Sequence, residues 1–180
     1  MGRAKANDNP VIQPVKDFVL EFGKGKTFPK VLEVGSRDVN GSVKGLINWT
    51  EYIGLDLIDG ENVDVIDDAE NIPTHWPEET FDLVICTETL EHVKDPVSIV
   101  NKMRNVLKKD GWMLLTTPSI HHPEHGWPSD YYRFFENTYR DVFFVGFDDC
   151  HFETKAWDGN MMYPDAVLGY GRKPNISNNA

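Results

Sequence analysis

Apolar positions in the chain follow two periods. Val11, Ile12, Val15, Phe18, Val19 and Phe22 recur at helical spacing with Gly23 behind them as a stop, so the first element is predicted to be a helix. Short apolar runs then predict strands over residues 31–34, 52–55 and 63–66, with a short helix over residues 42–48 between the first two. FDLVIC, residues 81–86, is apolar enough to be covered on both faces and belongs at the centre of a sheet. Asp95 followed by Pro96 is a helix start, Val97, Ile99, Val100, Met103, Val106 and Leu107 supply its core face, and Gly111 ends it. A strand over residues 112–116 follows, then a long loop rich in His, Pro and aromatics. A short helix near residues 137–145 and strands over residues 150–157 and 166–170 complete the pattern.

Strands alternating with helices imply parallel pairing with helices on both faces, a doubly wound, Rossmann-like α/β sheet. Residues 158–165 are too few to carry a crossover helix, so the last two strands are expected to form a C-terminal antiparallel hairpin. The 180 residues fit one domain, with a core over about residues 11–172, polar ends and no internal repeat.

Composition narrows the partners. Apolar residues make up 40% and charged residues 26%, and no apolar run approaches the roughly 20 residues of a membrane helix. The first ten residues lack a secretory h-region, and Ala6 stands where a myristoylation motif needs Ser or Thr. Cys86 and Cys150 make no disulfide framework and suit a reducing compartment, so the expected location is cytoplasmic. A net charge of −11, from 29 acidic and 18 basic residues, repels a phosphate backbone and disfavours nucleic acid as a partner.

The candidate chemistry lies where strands end, because open α/β sheets bind ligands beyond their carboxyl ends. Glu33 and Gly35 end the first strand, Asp56 the second, Asp67 and Asp68 the third, and Thr87 and Glu88 the fourth, with Glu91 and His92 just beyond. Such a ring of acids suits a cationic or hydroxyl-rich ligand better than a pyrophosphate, which seeks backbone N–H groups and helix N-termini. The first turn, VLEVGSRDVNG, also places Arg37 where a dinucleotide fingerprint needs its second glycine, although Asp56 falls near the spacing expected of a ribose-binding acid. GKGKT, at residues 23–27, is no P-loop, since Leu20 replaces the first glycine and a strand follows instead of preceding it.

Read together, VLEVGSRDVNG, YIGLD, DDAENIP, FDLVICTETLEHVKDP and VLKKDGWMLLTTPS resemble the ordered motifs of class I S-adenosylmethionine-dependent methyltransferases, particularly the small type 11 branch. The resemblance runs over about residues 31–119 and implies S-adenosyl-L-methionine as cofactor. By it, Glu33 and Gly35 face the methionine portion, Asp56 binds the ribose hydroxyls, and Asp68 with Ala69 reads the adenine edge, Asp67 being the alternative one position earlier. Thr87 and Glu88 lie beside the methyl group, Gly41 is a later glycine of the first loop, and Ser36 and Leu57 complete the cofactor set. Arg37 departs from the family pattern.

The sulfonium already activates the methyl group, so the protein mainly aligns a small acceptor, at O, N or C, and excludes water. His92 is the candidate general base where the acceptor must lose a proton, its alternative role being to bond backbone. His121, His122, Trp127, Asp130, Tyr131 and Tyr132 form the expected acceptor wall, with part of the loop's aromatics in the core. No metal is expected, since His121, His122, His125 and Asp130 match no ligand spacing. Two rivals remain at this point: a nicotinamide-dependent oxidoreductase, and a non-catalytic subunit that keeps the cofactor pocket.

Overall fold

Neighbouring side chains in the segment Phe81–Thr87 enter opposite cores, and this alternation organises the molecule. Val84 and Cys86 join one apolar cluster while Leu83 and Ile85 join another, and all four are fully buried. The computed structural model describes residues 12–126, 129–156, 162 and 164–175. Along the chain these form α1 (Gln13–Gly23), β1 (Thr27–Val34), β2 (Asn48–Asp56), β3 (Val65–Ile66), α2 (Ile72–His75), β4 (Phe81–Thr87), α3 (Pro96–Val106), β5 (Leu107–Pro118), α4 (Glu136–Thr138), β6 (Asp148–Lys155) and β7 (Ala166–Arg172). The strands make one sheet in the order β3-β2-β1-β4-β5-β7-β6. β1 to β5 pair in parallel, and β7 pairs antiparallel with both β5 and β6. The doubly wound sheet, the central position of β4 and the antiparallel hairpin are therefore as the residue pattern predicts.

Helix α1 covers one face with Val15, Phe18, Val19 and Phe22, and α3 covers the other with Ile99, Val100, Met103 and Val106. Gly23 is the last residue of α1, not a stop beyond it. A β-carbon there would sit 2.6 Å from Ile47 Cγ2, so the glycine admits the next turn close against the helix. Asp95 caps α3 by accepting from the Ser98 amide at 3.0 Å, and Pro96 opens it.

Three expected elements differ. Residues 42–48 form only a 3-10 turn, Lys44–Leu46, because Asn48 is already paired with Thr27 in the sheet. Helix α3 ends at Val106 instead of Gly111: fully buried Leu107 pairs with Phe81 and starts β5, and the register then shifts before Leu83 meets Trp112. Asp110 takes φ 61° in that irregularity. The helix near residues 137–145 is one short turn, α4, followed by a single π turn, Tyr139–Phe143, closed by the Phe144 amide on the Tyr139 carbonyl at 2.9 Å. Buried Tyr139, Phe143 and Phe144 anchor it to the core. Trp157, expected to end the sixth strand, and Val11, expected in the first helix, lie outside the described residues. No helix among the described residues is long and apolar enough to cross a membrane.

Candidate functional site

Strand order reverses between β1 and β4, and a cavity of about 750 Å³ opens beyond the carboxyl ends of the strands there. All the residues expected to hold a cofactor line it: Glu33, Gly35, Ser36 and Gly41 from the first turn, Asp56 and Leu57 from the second, Asp68 and Ala69 after β3, and Thr87 and Glu88 after β4.

The first turn is built by close approach. Gly35 has φ +76°, and a β-carbon on it would lie 1.9 Å from Thr89 Oγ1, so the turns after β1 and β4 touch through this glycine. The amides of Gly35 and Ser36 both donate to the Leu55 carbonyl, at 2.8 and 3.2 Å. Arg37, the departure from the family pattern, donates its amide to Asp56 Oδ2 at 3.1 Å, while its side chain lies over Gly60, whose absent β-carbon would sit 2.8 Å from Arg37 Cγ. The turn is thereby held by backbone and by a side chain packed on the second loop.

Glu33 is only 3% exposed and accepts a 2.7 Å hydrogen bond from the Tyr52 hydroxyl. Burial pushes its carboxyl up to about 7, against the opposing effect of Tyr52. Asp56 accepts from the Arg37 amide and, through Oδ1, from the Ile58 amide at 3.0 Å. Asp67 and Asp68 divide two tasks. Asp67 accepts from Asn71 Nδ2 and the Asp68 amide on one oxygen and meets His75 Nε2 at 2.7 Å on the other, and hydrogen bonds from Asn71 and His75 hold its carboxyl below the usual range. Asp68 caps the following 3-10 turn through the Glu70 amide at 2.9 Å.

After β4 the chain turns sharply, Glu88 taking φ 47°. Glu88 Oε1 is buried without a hydrogen-bond partner, and burial, with the Glu91 carboxylate next in effect, pushes its carboxyl up to about 8. His92 lines the cavity and bonds through Nδ1 to the Ser129 carbonyl at 2.6 Å, so it both reaches the site and holds backbone.

The loop after β5 splits the expected acceptor wall. Tyr131 lines the cavity, as does His125, which was not in the expected set. His121 lies instead near Asp165, 3.4 Å from Nδ1 to Oδ1, and is half exposed. His122 offers its carbonyl to Arg133 Nε at 2.8 Å, and Tyr132 donates its hydroxyl to the Lys94 carbonyl at 2.8 Å. Asp130 faces Arg133 in a two-pronged pair at 2.6 and 2.7 Å, which holds its carboxyl down to about 2, and accepts from the His125 amide at 2.7 Å. None of these four lines the cavity; Asp130 and His122 instead fasten the loop that does. Trp127 lies outside the described residues. The amides of Ser119 and His121 tie the start of the loop to the carbonyls of Asp165 and Pro164, beside β7.

Comparison with known proteins places this geometry. The chain is 38% identical over 123 residues to the ubiquinone biosynthesis O-methyltransferase of Hydrogenovibrio crunogenus, an overlap of 61% of this chain and 49% of that protein. It is 31% identical over 103 residues to the enzyme of the same name from Paraburkholderia xenovorans, covering 55% and 43%. The chain thus spans about half the length of the curated relatives it matches. Among solved structures, a SAM dependent methyltransferase from Archaeoglobus fulgidus shares the fold with a TM-score of 0.64 at 14% identity, covering 89% of this chain and 94% of that one. The N-methyltransferase NodS of Bradyrhizobium japonicum WM9, in complex with S-adenosyl-l-homocysteine, does so with a TM-score of 0.64 at 13% identity, covering 93% and 90%. The methyltransferase domain family matches residues 9–144, most of the chain. With its motifs in order, its acids gathered at one switch point and that match in hand, the chain belongs to the methyltransferase domain family.

Proposed function

We propose that the chain binds S-adenosyl-L-methionine in the switch-point cavity and transfers its methyl group to a small-molecule acceptor. The observation that carries this reading is the lining of that cavity by Glu33, Asp56, Asp68 and Glu88 together. A ligand bearing an ammonium, a sulfonium, ribose hydroxyls and an exocyclic amine meets a complementary surface there, whereas a pyrophosphate meets four acids. In this reading Glu33 faces the amino acid portion, Asp56 the ribose and Asp68 the adenine edge. Asp67 is disfavoured for the last role because both its oxygens already have partners. Ala69 and Leu57 flank the adenine, while Thr87 and Glu88 stand beside the methyl group.

The sulfonium supplies the leaving group, so the protein's part is alignment and exclusion of water. The names of the two O-methyltransferases above favour an oxygen as acceptor atom. Such an acceptor must lose a proton, and His92, at the cavity edge, is the candidate to receive it. Thermal unfolding in the presence of S-adenosylmethionine, S-adenosylhomocysteine or NAD tests the reading, because a ligand specific to the native state raises the melting temperature. The two sulfur ligands are expected to stabilise and NAD to leave the transition unmoved; stabilisation by NAD alone overturns the proposal. Turnover on a panel of hydroxyl and amine acceptors then separates an enzyme from a binding subunit.

A further inference from the structure

At the cavity wall lies a cluster that the cofactor's own contacts do not use. Glu91 is fully buried, and neither of its carboxylate oxygens has a hydrogen-bond partner. A buried carboxylate with no partner is strongly unfavourable unless a positive charge compensates it. Two ring nitrogens face its Oε1: His92 Nε2 at 3.6 Å and His125 Nε2 at 3.5 Å. One donor atom from each of the three residues falls within 4.8 Å of the others.

The group behind each imidazole bears on what those nitrogens offer. His92 Nδ1 lies 2.6 Å from the Ser129 carbonyl, a pure acceptor, so Nδ1 carries the proton and Nε2 of the neutral ring presents a lone pair to Glu91. His125 Nδ1 lies 3.2 Å from Asp130 Oδ2 without a hydrogen bond between them, and Arg133 holds that carboxylate in place. The carbonyl bonded behind His92 is the outer arrangement that orients an imidazole toward a metal, and behind His125 a carboxylate stands within reach of the same role. The loop is shaped to deliver this. Gly126 has φ +86°, and a β-carbon on it would sit 2.4 Å from His92 Cε1, so only glycine lets the segment carrying His125 close onto the His92 ring.

A proton on His125 Nε2 is the competing occupant, and Glu91 does raise the basicity of that imidazole. One proton bridges one nitrogen and one oxygen. It leaves His92 Nε2 opposed to Glu91 lone pair to lone pair and Glu91 Oε2 still without a partner, whereas one cation satisfies all three side chains.

We propose that Glu91, His92 and His125 bind a divalent first-row transition ion at the acceptor side of the cavity. Two imidazoles and one carboxylate are a borderline donor set, suited to Zn²⁺, Co²⁺ or Fe²⁺ more than to Mg²⁺, and three protein ligands leave a coordination position open. His92 and His125 line the cavity, so the open position faces it. The assignment deepens the methyl-transfer reading and, for its chemistry, rests on it. A hydroxyl acceptor takes the open position, its lowered pKa releases the O–H proton to solvent, and the bound oxygen attacks the methyl carbon. The O–C bond forms as the S–C bond breaks, its electron pair returning to sulfur as a neutral thioether. His92 is then a ligand and not a base.

The test uses the whole chain, stripped with a chelator and titrated with Co²⁺. One equivalent is expected to bind with visible ligand-field absorption, to be displaced by Zn²⁺ and to be indifferent to a comparable concentration of Mg²⁺. Glu91→Gln and His125→Ala are each expected to weaken Co²⁺ binding at least tenfold, and His151→Gln, on β6, to leave it unchanged. Because His125 is on the loop and partly exposed, its variant keeps the experiment informative should Glu91→Gln fail to fold. No saturable Co²⁺ spectrum, or one equally strong in both ligand variants, overturns the proposal. Melting with S-adenosylmethionine is read in parallel on the stripped protein: Co²⁺ binding without that stabilisation upholds the metal site and removes the methyl-transfer reading. Stabilisation without Co²⁺ binding does the reverse.

Discussion

The hydroxyl of Tyr52 donates to Glu33 Oε2 across 2.7 Å, joining β2 to β1 beneath the cavity at a point where the carboxyl is almost fully buried. Its folded pKa, about 7, stands above the ordinary 4.5, so the folded protein keeps a proton that the unfolded chain has released between those values. Stability is therefore greatest below about pH 4.5 as far as this group is concerned. It declines as pH rises to 7 and is constant above, a cost of about 3 kcal/mol. Glu33→Gln is expected to be more stable than the parent at pH 8 and indistinguishable at pH 4.5, measured by denaturant melts at the two pH values.

The same carboxyl couples to ligand binding. An ammonium placed beside Glu33 favours its ionised form, so S-adenosylmethionine should expel a proton from a site that is half protonated at pH 7. Calorimetry in buffers of different ionisation enthalpy is expected to report release of a fraction of a proton at pH 7, more at pH 6, with affinity falling as pH falls. Glu33→Gln should abolish the release.

Asp56 holds the Arg37 and Ile58 amides while facing the cavity. Asp56→Ala is expected to remove the melting shift caused by S-adenosylmethionine and to cost about 1 kcal/mol for the two backbone hydrogen bonds lost at a partly exposed turn. Asp56→Asn, which keeps an acceptor oxygen, should recover most of the stability and only part of the binding. Unimpaired cofactor binding in the alanine variant removes the ribose assignment.

Gly35→Ala combines a left-handed backbone with a collision against Thr89. The conformational part costs about 1–2 kcal/mol and the steric part comes on top of it. Adding Thr89→Gly to Gly35→Ala is expected to return the steric part alone, so a double-mutant cycle on melting free energies should show strong positive coupling between two residues far apart in sequence.

Arg133 grips Asp130 and accepts none of the cavity's work itself, donating to the carbonyls of His122, Pro123 and Tyr132 as well. Arg133→Met should leave cofactor-induced stabilisation intact while kcat/KM for the acceptor falls at least tenfold through a raised KM. Steady-state kinetics beside thermal shift distinguishes this from a general loss of folding.

The strands that run deep through the sheet were legible because their runs are apolar on both faces, as in Phe81–Thr87. The acids at their ends followed, since a parallel sheet gathers strand ends whatever the loops do. The end of α3 was not legible: Lys108, Lys109, Asp110 and Gly111 read as a helix tail, yet Leu107 is drawn into the ladder opposite Phe81, a tertiary demand that local pattern does not record. His125 escaped for a related reason. It meets Glu91 and His92 only because Gly126 and the Arg133–Asp130 pair bring a remote loop across β4, and no ligand spacing within the loop announces that. Glu91, three residues after Glu88 and beside His92, was the available signal. Arg37 is explained by the second loop: its side chain has Gly60 to lie on.

The ties from Ser119 and His121 to Asp165 and Pro164 join the loop beside the cavity to the hairpin at the sheet's far edge. Edge strands open more readily than central ones, and the edge here is β6, with β7 held between it and β5. The Ser119 bond continues the β5–β7 ladder past the Pro118–Ala166 pair, so the amides of Ser119 and His121 are released when the start of β7 comes away from β5, a step that loss of β6 precedes. A stabilising change in the edge hairpin, remote from every ligand, slows the breathing of the acceptor side.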